Sequence, residues 1–288
     1  MRIAVLGGSG FVGRKVTRLL IDNEYEVISS YCHTQPPKDI EKHYIKVDVN
    51  HDYHVHKFLQ GADIVFYLIH SLAKKDFQKH EENIAKKAGQ AMKNNNVKLV
   101  FYLGGPKSES KHLQSRQKTY EILKKYVNTV LIRSSAILGK ESASYKLISA
   151  AGHSFFKIKN KNMQKKTNPI HIDDLTLALM NLLKLKSYKD EYEIGGPSIT
   201  YADMIKAFQT ELNITKAPFA IPISFNNFLV KAHLSFWGDV DYTLATHLIE
   251  GLTNNLELQN NVTKPLIKRE PLTFKQSIKL IEDAPAGI

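Results

Sequence analysis

The sequence predicts an α/β fold: a doubly wound parallel sheet followed by a smaller, mostly helical C-terminal cap. Three observations carry this prediction. Apolar runs of strand length alternate with stretches of helical spacing from residue 2 to residue 194, a glycine-rich turn joins the first run to the first helix, and residues 218–288 are short of strand-like runs. Alternation of this kind builds a parallel sheet with helices on both faces, because parallel strands must be joined by crossovers.

The first element is the run Ile3-Ala4-Val5-Leu6, apolar throughout, as a strand buried on both faces must be. Gly7, Gly10 and Gly13 follow, and residues 14–22 then take helical spacing, with Val12, Val16, Leu19 and Leu20 on one face. Each glycine has its own reason to be there: a tight turn, close approach of the backbone to a pyrophosphate, and close packing of helix on strand. The phosphates would sit at the positive helix N-terminus. Alone the triplet is a weak signal; between a strand and a helix it points to a nucleotide site.

Further strands are predicted over residues 25–32, 44–49, 63–69, 97–103 and 129–133, with crossover helices over 76–94 and 114–126. Past Gly139 the rhythm breaks, which assigns residues 140–168 to the substrate side of a cleft. It resumes with an amphipathic helix over 173–184 and a short strand, Glu191–Ile194, ending in Gly195-Gly196-Pro197. Thr200 is placed to cap a helix running to Leu212, with Asp203 at the capping-box position. The expected organisation is a nucleotide-binding part over residues 1–200 and a helical cap over 201–288, lying above the carboxyl ends of the strands where such folds bind ligands.

Composition bounds the function without deciding it. A single cysteine, Cys32, excludes an internal disulfide, and a strand starting at residue 2 leaves no room for a signal peptide, so a cytoplasmic location is expected. No apolar stretch approaches the roughly 20 residues that cross a bilayer. The net charge of +12 favours anionic partners but is spread along the chain, and no recognition motif accompanies it, so nucleic acid is not expected. The one concentrated run, Lys157, Lys159, Lys161, Lys165 and Lys166 after Phe155-Phe156, reads as a solvated loop, with an anion-attracting cleft rim as the functional alternative.

The glycine spacing, Asp48-Val49, the run from Phe66 to Leu72, Val100 to Gly105, Ser115-Arg116, Arg133, Pro169 to Asp174 and the late Gly195-Gly196-Pro197 resemble the atypical short-chain dehydrogenase/reductase superfamily. The likeness is greatest to bacterial NAD(P)-binding proteins of the NmrA-like type and to those akin to an accessory subunit of complex I. The resemblance implies a Rossmann sheet in which Gly7, Ser9, Gly10, Phe11 and Val12 line the pyrophosphate, Asp48 and Val49 face the adenine, and Leu68, Ile69 and His70 run along the adenosine ribose and phosphates. Gly104 would abut the cofactor at the end of the fifth strand. An acid ending the second strand selects NAD and a nearby Arg selects NADP. Here that strand ends Ser29-Ser30-Tyr31-Cys32-His33-Thr34, with neither determinant. Without the acid nothing repels a 2′-phosphate, and Ser30, His33 and Thr34 could hydrogen-bond one, which favours NADP over NAD.

Reductases of this superfamily use a tyrosine as general acid with a lysine four residues later. A phenol of pKa about 10 moves protons near neutrality only when a neighbouring cation stabilises its phenolate. The resemblance places that pair at Leu113 and Gln117, which cannot do this chemistry, and puts Gly104-Gly105 where a catalytic serine is expected. A literal Tyr-x-x-x-Lys occurs at Tyr120 and Lys124, two helical turns or roughly 10 Å further on. The remaining catalytic candidates are Tyr145, in the loop after the sixth strand, and Lys118 and Arg116 on the helix beside the nicotinamide position.

Other constellations have structural explanations. His51, His54 and His56 with Asp52 suggest a helix start capped by Asp52 rather than a metal site. His171 with Asp173-Asp174 is explained by capping and the macrodipole. Phe225, Phe228, Phe236 and Trp237 read as core or cleft wall, not as a base-stacking platform. Two functions follow from the whole: an NAD(P)-dependent oxidoreductase, or an isomerase or epimerase, acting on a small molecule under the cap; or a non-catalytic NAD(P)-binding redox sensor, regulator or assembly factor.

Overall fold

The structure, a computed structural model, describes residues 1–71, 76–154, 156–158, 161–214, 219–221, 228–251 and 254–284. Its centre is a sheet of seven strands, β1 (Arg2–Leu6), β2 (Glu26–Tyr31), β3 (Tyr44–Lys46), β4 (Ile64–Tyr67), β5 (Leu99–Gly104), β6 (Thr129–Ser134) and β7 (Glu191–Ile194), in the order β7-β6-β5-β4-β1-β2-β3. Every neighbouring pair is parallel. The order reverses between β1 and β4, and a ligand crevice opens where crossovers leave in opposite directions.

The alternation of side chains along each strand sorts two cores onto the two faces. Ile3, Val5, Phe66, Phe101 and Ile132 pack on one face with Val16 and Leu20 of α1 (Phe11–Asp22) and Leu175, Leu179 and Leu182 of α6 (Ile172–Leu183). Ala4, Leu6, Val65, Tyr67, Tyr102 and Leu131 pack on the other with α2 (Asp52–Phe58), α3 (Phe77–Asn94) and α4 (Lys111–Lys124). Cross-strand rings stitch each face, Phe66 to Phe101 at 5.2 Å and Tyr67 to Tyr102 at 5.6 Å between centroids. A third core joins α5 (Ala143–Gly152), α7 (Tyr201–Glu211), α8 (Phe228–Gly238), α9 (Tyr242–Gly251) and α11 (Phe274–Asp283). The short α10 (Thr263–Ile267) returns to the first face.

Several elements differ from the sequence expectation for identifiable reasons. β3 stops at Lys46, because the Asp48 carboxylate accepts hydrogen bonds from Asn50 N (2.9 Å) and Asn50 Nδ2 (2.8 Å), and this side-chain turn competes with the strand ladder. The helix expected from residue 114 begins at Lys111, since His112 and Leu113 are buried and extend its inner face by a turn. Asp52 is the first residue of α2 rather than its cap, and pairs with Lys87 at 2.9 Å. The α6 cap is His171, whose Nδ1 accepts from Asp173 N at 3.3 Å. Asp174 is fully buried, holding Arg269 and accepting from Leu272 N at 2.7 Å, so it ties the C-terminal segment to α6. The Thr200 cap on α7 forms as expected, through Asp203 N at 3.1 Å.

The lysine-rich stretch is not one loop. Phe156–Ile158 forms a short strand parallel to Phe219–Ile221, and Lys166–Thr167 pairs with Ile199–Thr200. Lys159 and Phe155, and the side chains of Lys157 and Lys161, lie outside the described residues. The aromatic group on α8 is neither core nor cleft wall: Phe228, Phe236 and Trp237 are exposed, and the helix buries Val230 and Leu234 instead. Phe225 lies outside the described residues.

Gly13 is where helix and strand meet most closely. A Cβ there would stand 2.2 Å from Gly7 O and 2.7 Å from Gly8 Cα, both backbone atoms that cannot rotate away. At Gly10 the nearest atom would be Gly7 O at 3.3 Å. Gly13→Ala is therefore expected to cost about 2 kcal/mol or more in urea unfolding and Gly10→Ala well under half of that; equal losses would contradict the packing argument.

Candidate functional site

The β1–α1 turn forms the floor of the site. Gly7 sits at φ +86°, a backbone conformation that a side chain would strain, and a Cβ there would lie 2.9 Å from the Leu68 carbonyl carbon. Its N–H donates to Ser30 Oγ (2.9 Å), Ser9 N donates to Ser30 O (3.2 Å), and Gly10 N returns to Gly7 O (3.2 Å). Beneath them Thr17 Oγ1 and Ser29 Oγ share a hydrogen bond of 2.9 Å. The N-cap of α1 is Gly10, which has no side chain to cap with, so the first N–H groups of the helix point outward without a side-chain acceptor. An anion is the natural partner of such an end.

A cavity of about 700 Å³ starts at Gly10 and Phe11 and follows the carboxyl edge of the sheet past Leu68, His70 and Ser71, Gly104 and Gly105, and Ser134 and Ser135. It ends against apolar side chains of α5, α7 and α9, including Leu147, Ile148, Met204, Ile205, Leu244 and Leu248. Leu113 and Arg116 of α4 form one wall.

Arg116 lies near enough to His70 and His112 for its charge to act on both rings. Its Nη1 reaches Gly104 O at 3.4 Å, while its Nε is buried without a hydrogen-bond partner. Ser134 Oγ and His70 Nε2 are likewise buried and unpartnered. Burial, and then the Arg116 charge, hold the His70 imidazole well below its ordinary pKa. The same two causes, with His247 third, push His112 down to about 3. Both rings are therefore neutral near pH 7.

Two buried ions hold this frame. Arg133 spends its guanidinium on Glu191 (3.0 Å), Gly105 O (3.3 Å) and Gln117 Oε1 (2.9 Å), joining β6, β7, the Gly104-Gly105 turn and α4. The Glu81 carboxylate accepts from Ser71 N (2.9 Å) and Ser115 Oγ (2.6 Å), fixing the segment after β4 against α4.

The structure brings Gly10, Phe11, Leu68, His70, Gly104 and Arg116 together on one cavity, with Gly7, Ser9 and Val12 in the adjoining turn and first helical turn. Ile69 and Val49 pack toward the core face below, Asp48 lies just past β3, and His33 is exposed past β2. Two catalytic candidates do not reach the cavity. Tyr145 lies inside α5 rather than in a loop, buried with its hydroxyl on Glu282, and burial followed by that carboxylate raises its pKa. Lys118 is two residues past Arg116, about 200° around the helix, and pairs with Glu121 at 3.9 Å. Tyr120 is buried in the core below the sheet, with Lys124 over its ring and held by Asp190 at 2.6 Å.

His112, Ser134, Ser135, Thr167 and Tyr201 line the cavity and were not singled out from sequence. Ser134-Ser135 was findable, since it ends a strand on the ligand edge. His112 was hidden because the helix was expected to begin only at residue 114, and Tyr201 carries no local signal. Among the described residues no group of three His, Cys, Asp or Glu side chains is arranged to hold a metal ion, and no helix is long and apolar enough to cross a membrane.

A family model described as NAD(P)H-binding matches residues 7–154. No curated protein matches the chain in sequence. Among solved structures, a nucleoside-diphosphate-sugar epimerase from Staphylococcus aureus superposes with a TM-score of 0.76 at 14% identity, covering 97% of this chain and 100% of that one. A triphenylmethane reductase from Citrobacter gives 0.74 at 16% identity over 98% and 99% of the two chains. An NADPH-dependent quinone oxidoreductase from Escherichia coli gives 0.71 at 15% identity over 98% and 100%. Likeness at this identity establishes the shared fold.

The neutral histidines set a pH dependence. An unfolded imidazole takes up a proton near pH 6.5, whereas folded His112 does so only near 3, so the unfolded state binds more protons in between. Stability is complete above about pH 6.5 and falls as pH is lowered, by up to about 1.4 kcal/mol per pH unit for each excluded proton. His112→Gln is expected to flatten the decline in unfolding free energy between pH 6.5 and 4.5; parallel curves for the two proteins would show that His112 is protonated in the fold.

Proposed function

The chain belongs to the NAD(P)H-binding family, and on that premise we propose that it is an NAD(P)-dependent oxidoreductase of the atypical short-chain type, acting on a small molecule held beneath the C-terminal helices. The observation that carries this reading is continuity: one cavity runs from the uncapped N-terminus of α1 at Gly10 to Arg116 and on to the apolar helices. Cofactor site and substrate space are thus the two ends of one cleft. In the proposed organisation residues 1–200 hold the dinucleotide and residues 201–288 close over the substrate, with residues 140–168 contributing to the cleft.

The residues fit the cofactor. A pyrophosphate has the bare N–H groups at the start of α1, and a Cβ at Gly10 would meet one atom only, Gly7 O at 3.3 Å. Gly7, Ser9, Gly10, Phe11 and Val12 would hold the pyrophosphate, Asp48 and Val49 the adenine, and Leu68, Ile69, His70 and Gly104 the remaining length. At the end of β2 Ser30 already serves the glycine turn, leaving the exposed His33 and Thr34 as hydrogen-bonding groups for a 2′-phosphate. With no acid there, NADP is favoured over NAD. The single cysteine, Cys32, supports a reducing, cytoplasmic setting.

When bound, NAD(P)H supplies a hydride to the substrate carbon. Arg116 takes the part that a tyrosine and lysine play elsewhere: its guanidinium stabilises negative charge gathering on a carbonyl oxygen. It remains protonated throughout, so the proton completing the alcohol comes from water, with the Ser134 hydroxyl as the relay. The oxygen thus meets a fixed cation and a hydroxyl residue that both line the cleft. A non-catalytic redox sensor is the second reading, favoured by the lack of proton chemistry at Leu113 and Gln117.

Melting shifts with NADPH and NADH test the cofactor. At 100 times its dissociation constant the preferred dinucleotide adds about 2.7 kcal/mol of stability, and Gly10→Val is expected to abolish the shift. Arg116→Ala should leave NADPH affinity within about threefold while lowering kcat at least a hundredfold on any substrate found. A chain that binds NADPH tightly yet reduces no carbonyl compound in a broad panel would be the sensor.

A further inference from the structure

We infer that the far end of the cavity takes an uncharged, largely apolar carbonyl compound, with its oxygen at Arg116 and Ser134 and its body among the side chains of α5, α7 and α9. This rests on the oxidoreductase reading of the same cleft and narrows it to a substrate class.

The first argument is the wall. Ile148, Ile205, Leu244 and Leu248 come from three different helices and are only half-buried: each packs against the third core and also lines the cavity. Apolar groups that keep one side open to a cavity of this size gain by covering it with an apolar ligand.

The second argument is charge. The ionisable side chains among the described residues lining the cavity, tyrosine apart, are Arg116, Glu141, His70 and His112. Glu141 is bound to Arg14 at 2.5 Å, and the two imidazoles are neutral near pH 7. One cation therefore remains, and it sits at the sheet end of the cleft, against Gly104 O. The N-terminus of α5, whose Ser142 and Ala143 line the cavity, is already capped: Ser142 Oγ accepts from Tyr145 N at 3.0 Å. A diphosphate or carboxylate buried among these leucines and isoleucines would lose its hydration without gaining a partner. A neutral carbonyl compound loses only the hydration of its oxygen, and the Arg116 guanidinium and the Ser134 side chain, which line the sheet end of the cavity, supply donors to replace it.

The experiment compares two probes on the full chain loaded with NADP⁺, so that no turnover interferes: 9,10-phenanthrenequinone, neutral and apolar, and UDP-glucose, anionic and polar. Titration calorimetry is expected to show quinone binding at micromolar concentration and no UDP-glucose binding up to 1 mM. Ile205→Asp, a change at a half-buried position of the cavity wall, is expected to weaken the quinone at least tenfold and leave NADP⁺ affinity unchanged. The inference is overturned if UDP-glucose binds and the quinone does not, if neither binds, or if Ile205→Asp leaves quinone affinity intact while circular dichroism shows a native fold. Should the chain fail to take up NADP⁺, the oxidoreductase reading falls. Quinone titration of the cofactor-free chain, with the wild type and Ile205→Asp side by side, still decides the substrate class.

Discussion

Everything in this molecule is arranged around the contact between Gly13 and the backbone of Gly7 and Gly8. Because neither side carries a Cβ, the first turn of α1 lies directly on the end of β1, and its N–H groups face the crevice at the point where the strand order reverses. The turn is held from two sides: Ser30 on β2 accepts the Gly7 N–H, and the chain after β4 presses against Gly7 so closely that a Cβ there would touch the Leu68 carbonyl. A crevice wide enough for a dinucleotide thus depends on three neighbouring strands ending at the same level.

The cleft divides into halves of opposite chemistry. Strand ends supply backbone and short polar side chains to one half, while α5, α7 and α9 supply mostly branched apolar side chains to the other. Arg116 stands at the boundary and keeps its guanidinium available because a second arginine does the structural work beside it: Arg133 ties β6, β7 and the Gly104-Gly105 turn to α4. The neutral state of His70 and His112 follows from the same arrangement, since a buried imidazole beside a fixed cation gains nothing from a second positive charge.

Legibility in the sequence followed the range of the interactions. The run Ile3 to Leu6, the glycine spacing and the crossover helices are written in local patterns, and the strands were located to within a few residues except β3, where the Asp48 turn overrode its apparent length. Side-chain direction was harder. Arg116 and Lys118 look interchangeable in sequence, but a helix turns them to different surfaces; Tyr145 looks like a loop donor until α5 forms and ties its hydroxyl to Glu282 of α11. The α8 aromatics show the opposite failure, because their spacing is helical but the buried stripe runs through Val230 and Leu234, leaving Phe236 and Trp237 outside.

The sequence by itself determined the class of fold and the dinucleotide turn, since both rest on short-range rules: which residues can pack on both faces of a strand, and where only glycine lets a helix approach. Only the tertiary structure decided what shares the cleft. His112, Ser134 and Tyr201 come from segments far apart in the chain, and their meeting on one cavity depends on the strand order and on how the third core seats α5, α7 and α9 over the sheet. The charge state of that cavity was equally invisible beforehand, because burial and the distance to a neighbouring cation, not residue type, set whether a histidine is charged.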